Sequence, residues 1–135
     1  MASFNKLEIY KEITDMSKEL RRSINNMDRF HKFSVGERIL NLLIDIKYQV
    51  YMCNTRKEFE KLDEMRKLRD MLTHLQICLS DCVEDGVLLL KTKFSIQLPL
   101  KRLHNIITQA IKWENYSRDY INNLKINSKI EDLPF

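Results

Sequence analysis

Apolar residues recur along this chain at steps of three and four, in stripes separated by short polar breaks, and each stripe predicts one amphipathic helix. Ile9, Ile13, Met16, Leu20, Ile24 and Met27 share one face of a helix over about 4–27. A second helix, from after residue 34 to about 53, is apolar nearly all round: Ile39, Leu40, Leu42, Leu43, Ile44, Ile46, Tyr48, Val50 and Tyr51 cover most of its cylinder. Such a helix is expected to be buried on several sides, inside a bundle or between subunits. Phe59, Leu62, Met65, Leu68, Leu72, Leu75, Leu79 and Cys82 mark a third, reaching about 82. Ile96, Leu100, Leu103, Ile107 and Ala110 mark a fourth, extended by Trp113, Tyr116 and Tyr120 and ending near 124.

The breaks carry their own chemistry. Ser34 can cap the second helix by accepting from a free backbone N–H, with Glu37 reaching back to the N–H of Ser34 as a capping box. Asn54-Thr55 is a short polar break, and Asp85-Gly86 ends the third helix, glycine taking the left-handed conformation without steric cost. Pro99 leaves two starts open for the fourth: near Leu98, with the proline in its first turn, or after Thr92, with a kink. Residues 125–135 lack periodicity, carry Pro134 and read as a mobile tail after a domain of 1–124.

Composition narrows the class. Two glycines and two prolines among 135 residues are too few to punctuate a many-stranded fold. Short connections between long helices favour antiparallel neighbours, so the expected fold is all-α, an antiparallel up-down-up-down four-helix bundle. No apolar run approaches the roughly 18–20 residues that span a bilayer. Charges at Lys6, Glu8, Lys11, Glu12, Asp15, Lys18 and Glu19 rule out a signal-peptide core in residues 1–20. An odd count of three cysteines suits a reducing compartment, so a cytoplasmic location is expected.

Arg29-Phe30-His31-Lys32-Phe33-Ser34-Val35-Gly36-Glu37-Arg38-Ile39 also resembles a family signature: a basic, aromatic linker, then Phe, Ser or Thr, a branched aliphatic, Gly, an acid, Arg and Ile. The family is that of bacterial four-helix bundles comprising the accessory variability determinant of diversity-generating retroelements and the proteins encoded in intervening sequences of large-subunit ribosomal RNA genes. Leu103, Ile106, Ala110, Trp113 and Arg118 are similar to its closing helix, and Leu68, Leu72, Leu75 and Leu79 to its long third helix. Met27-Asp28 stands where a Phe-Pro pair is usual, Ile111-Lys112 where small glycines are usual, and Gln76 where an arginine is common. The resemblance favours the earlier, kinked start of the fourth helix. It implies a homo-oligomer, a pentamer in the retroelement proteins, with a reverse transcriptase and RNA as partners. Phe33, Ser34, Gly36, Glu37, Arg38 and Trp113 are signature positions, read here as mainly structural.

Candidate chemistry is sparse. His74, Cys78 and Cys82 lie at steps of four on one helix, which cannot wrap a tetrahedral ion, so no metal site is expected. Ser, His and Asp are scattered without a glycine-shaped turn, and Gly36 and Gly86 have no phosphate-loop context; no enzyme, cofactor or small-molecule substrate is expected. Arg38 is placed to form a buried or interface ion pair. The net charge is +4, from 23 Lys and Arg against 19 Asp and Glu, and the cations cluster. Arg21, Arg22, Arg29, Lys32, Arg56, Lys57, Arg66, Lys67 and Arg69 are the candidate contacts for RNA, DNA or a protein partner. Two functions remain beside a nucleic-acid-associated scaffold: an intervening-sequence-type bundle, and an adaptor that binds only protein.

Overall fold

A computed structural model of the chain describes residues 7–89 and 95–131, with side chains as far as 126. Helix α1 is Glu8–Asn25. A short α2, Arg29–His31, runs through a π-helical turn at Lys32–Gly36 into α3, Glu37–Thr55; α4 is Glu58–Glu84 and α5 is Gln97–Glu131. The described residues contain no strand. Helix α3 packs on α4, α4 on α5, α5 on α1, and α1 more lightly on α3.

The stripes meet in one core. Ile13, Met16 and Leu20 of α1, Ile46 and Val50 of α3, Leu72, Leu75 and Leu79 of α4, and Leu103 and Ile106 of α5 are fully buried. Removing this apolar surface from water is the main stabilising contribution, at about 25 cal/mol per Å². The stripes fail at their ends. Phe59 is 52% exposed, with the Lys125 ammonium 4.2 Å from its ring centre, and Tyr116 and Tyr120 point outward instead of extending the α5 stripe. Helix α3 is covered on two sides, while Ile44, Tyr48 and Tyr51 stay exposed.

The helix after α1 begins earlier than the capping box predicts. Asp28 is its N-cap: one carboxylate oxygen accepts from the His31 N–H at 3.0 Å and the other pairs with the His31 ring. These bonds hold the Asp28 carboxyl below its usual value. One carboxylate thus satisfies two donors where the Ser34 hydroxyl could satisfy one. Ser34 lies inside the helix and donates back to the Phe30 carbonyl at 2.9 Å. The π turn accommodates an extra residue and brings Gly36 against α1.

Two further boundaries follow from backbone chemistry. Gly86, at φ 73°, closes α4 with a paired cap, the Val87 N–H bonding the Cys82 carbonyl at 2.8 Å and the Gly86 N–H that of Val83 at 3.1 Å. Helix α5 starts at Gln97, whose N–H is accepted by Ser95 Oγ at 3.0 Å, so Pro99 falls in the first turn, where its missing N–H costs nothing. The kinked start is thereby corrected; Thr92 lies outside the described residues. At its other end α5 continues to Glu131, past the expected stop near residue 124, so 125–131 are helical.

Candidate nucleic-acid interface

Three of the four seams between helices hold a partnered carboxylate, and at two of them a sequence-distant arginine crosses to it. Between α1 and α5, Arg102 Nε donates to Glu19 Oε1 at 2.6 Å and Nη1 lies 3.4 Å from Glu12 Oε2; the bond to Glu19 raises the guanidinium pKa further. Between α4 and α5, Glu114 is 1% exposed and held by Arg118 at 2.9 Å and Arg69 at 3.0 Å. The Arg69 approach is an ion pair too poorly aligned for a hydrogen bond, leaving Glu114 Oε2 without one. Between α3 and α4, Gln49 donates to the Glu64 carboxylate at 2.7 Å and Lys67 pairs with it at 3.2 Å, which together pull the Glu64 pKa down.

The α1–α3 seam is different. Among the described residues no ion pair involves Lys18, Arg21 or Lys47, the cations that meet there. Half-buried Lys47 of α3 instead faces Arg21 and Lys18 of α1, and desolvation followed by those two like charges lowers its pKa. Exposed Ile44, Tyr48 and Tyr51 lie on the same helix as Lys47, the two tyrosine rings stacked with centres 6.0 Å apart. Like charges held together without a carboxylate form a local field suited to an anion.

The predicted basic residues are scattered rather than assembled. Arg21 belongs to the seam, and Arg22 lines a groove of about 640 Å³ beside Lys101 and Pro99. Arg29 lies in α2 and Lys32 opens the π turn, and Phe30 and Phe33 beside them are 77% and 66% exposed. Arg56 and Lys57 occupy the junction of α3 and α4, and Arg66 is exposed on α4. Lys67 and Arg69 are committed to Glu64 and Glu114. Of the signature positions, Gly36 is buried, Trp113 half-buried, and Glu37 and Arg38 exposed; Arg38 makes no ion pair among the described residues.

Linear clustering does not mark Lys47, Tyr48 and Tyr51 as a site, because Lys47 sits apart from any run of cations, while Lys18 lies one helical turn before Arg21-Arg22. One signal is present in the sequence: Lys47 and Asp45 are the only charges between Arg38 and Arg56. His74, Cys78 and Cys82 line a cleft of about 470 Å³ with His31, Arg38 and Asp81. Among the described residues no group of three or more His, Cys, Asp or Glu is placed to hold a metal ion. Burial raises the Cys82 thiol, and it pushes Cys53 up to about 12, so both are thiols at neutral pH.

No helix among the described residues is long and apolar enough to cross a membrane. Comparison with family models, curated proteins and solved structures gives no match.

Proposed function

We propose that this protein is a noncatalytic four-helix bundle of antiparallel up-down-up-down topology that binds nucleic acid electrostatically in the cytoplasm, with the α1–α3 seam as its principal contact. The topology is supported by the pairing of α1 with α5: Glu19 meets Arg102, while Leu7 and Glu8 share a small groove with Gln109 and Trp113. The observation that carries the function is the clustering of Lys18, Arg21 and Lys47 without a carboxylate where every other seam has one. A phosphodiester backbone supplies the missing negative charge, and Tyr48 and Tyr51 offer ring faces to unpaired bases.

Association of copies would set several such seams side by side and multiply their charge. Together with the resemblance to the retroelement accessory bundles, this supports a homo-oligomer, a pentamer by that resemblance, that scaffolds RNA and a reverse transcriptase. The role of the intervening-sequence proteins and a protein-only adaptor are the alternatives.

Titration of labelled single- and double-stranded RNA and DNA at two salt concentrations tests the reading. The logarithm of the binding constant should fall with that of salt at a slope of roughly −0.7 to −0.9 per phosphate neutralised. Lys18→Glu with Arg21→Glu should weaken binding on all sequences and flatten the slope, whereas Arg66→Glu with Lys67→Glu should do so less. Absence of binding at low salt removes the proposal and leaves the adaptor.

A further inference from the structure

Where α3 hands over to α4, a pocket of about 430 Å³ is lined by Arg56, Lys57, Lys61, Tyr116, Ser117 and Tyr120. Its size lies in the range of small-ligand sites. Helix α4 begins at this pocket, and its N-cap, Lys57, provides no side-chain cap. The first-turn N–H groups and the positive end of the helix dipole therefore meet further cations, an arrangement that favours an anion. Glu58 adds one carboxylate to the three cations of the lining.

A second observation is independent of the helix end. Ser117 is only 6% exposed, yet its hydroxyl has no hydrogen-bonding partner among the described residues. The other buried helical serines, Ser17 and Ser23, donate to the carbonyl one turn back, at 2.7 and 3.4 Å. Ser117 lines the pocket, and a hydroxyl without a protein partner there is a donor and acceptor held ready for a ligand. Beside it, Tyr116 and Tyr120 stand one helical turn apart, 74% and 58% exposed, with ring faces uncovered.

We propose that this pocket binds a nucleotide unit, the phosphate on Arg56 and Lys57 at the start of α4, the sugar or base edge on Ser117, and the base against Tyr116 and Tyr120. Phosphate needs the cations and free N–H groups, and a base needs the aromatic faces; inorganic phosphate or an acidic side chain would use only the first half of the lining. The unit is either a free mononucleotide or the phosphorylated end of a strand, and only the second source rests on the nucleic-acid reading above. Lys61, whose ammonium lies 5.6 Å from the Trp113 ring centre, couples the pocket to the single tryptophan of the chain.

Trp113 fluorescence is the readout, with uridine 5′-monophosphate, uridine, and a pentauridylate bearing or lacking a 5′-phosphate as probes. A saturable change with the monophosphate, and at least about tenfold weaker binding of uridine, is expected. Arg56→Gln with Lys57→Gln, and separately Tyr116→Ala with Tyr120→Ala, should each weaken the monophosphate about tenfold; these residues are exposed, so folding is not at stake. Response to the free monophosphate assigns the free nucleotide, and response only to the phosphorylated oligonucleotide assigns the strand end. No saturable response to either, or one that both variants leave intact, overturns the site. Lys18→Glu with Arg21→Glu should leave the monophosphate response unchanged, so loss of strand binding there and loss of this pocket are separate results.

Discussion

Gly36 and Ile24 are in contact so close that a Cβ on residue 36 would lie 2.8 Å from Ile24 Cγ2. Ile24 is 1% exposed and branched at Cβ, so it has nowhere to retreat. The Met27 sulfur, 3.3 Å from the same point, closes the other side. Gly36→Ala should therefore cost about 1–3 kcal/mol, the cost of overpacking a filled core. Urea denaturation with an unchanged midpoint would contradict this contact.

The two cap residues should change places in importance relative to the sequence pattern. Asp28→Ala removes the acceptor of the His31 N–H and should cost about 1 kcal/mol. Ser34→Ala removes an exposed bond to the preceding turn and should stay within about 0.5 kcal/mol. Thermal unfolding of both variants distinguishes the assignments, and the opposite ranking would restore the capping box.

Arg69 should prove structural. Arg69→Ala strips one of two cations from a carboxylate that is 1% exposed and should cost about 1–3 kcal/mol, while Arg66→Ala, on the open face of the same helix, should be nearly neutral. Nucleic-acid affinity measured on the folded Arg69 variant should match the wild type.

Lys47 trades stability for charge. Its folded-state pKa is depressed, so the folded state disfavours the protonated form, and stability is reduced at neutral pH relative to a pH above the unfolded value of 10.5. Lys47→Gln should raise the melting temperature and lower affinity for a polyanion. In the wild type the polyanion should raise the melting temperature more than in the variant; a variant that melts lower without ligand would reject the account.

Glu64 supplies an acid-side dependence. Its pKa is lowered, first by the Gln49 hydrogen bond and then by Lys67, so the unfolded chain binds the proton more readily. The resulting stability is complete above the ordinary value of 4.5 and is lost as pH falls through the lower folded value. Glu64→Gln should flatten the stability profile below pH 4.5 and leave its slope near neutrality unchanged, as chemical denaturation across that range would show.

The helices were legible because burial on one face repeats at the helical period, and the core positions of α1, among them Ile13, Met16, Leu20 and Ile24, are those the stripe marks. The end of α4 was equally legible, since Gly86 alone can take φ 73° there without strain. These are local properties: a side chain's polarity, its step along the helix and its backbone freedom belong to the chain before it folds.

The start of α3, the role of Ser34 and the fate of each cation depend on which residues become neighbours. Asp28 and Ser34 are both competent caps, and the choice rests on His31 and on Gly36 seating against Ile24. Arg69 and Arg66 are indistinguishable as letters in a basic cluster, yet one meets Glu114 of another helix and the other meets solvent. Lys47 is solitary in the sequence until α1 places Lys18 and Arg21 beside it. Charge acts through distance in space, and distance in space is what folding creates.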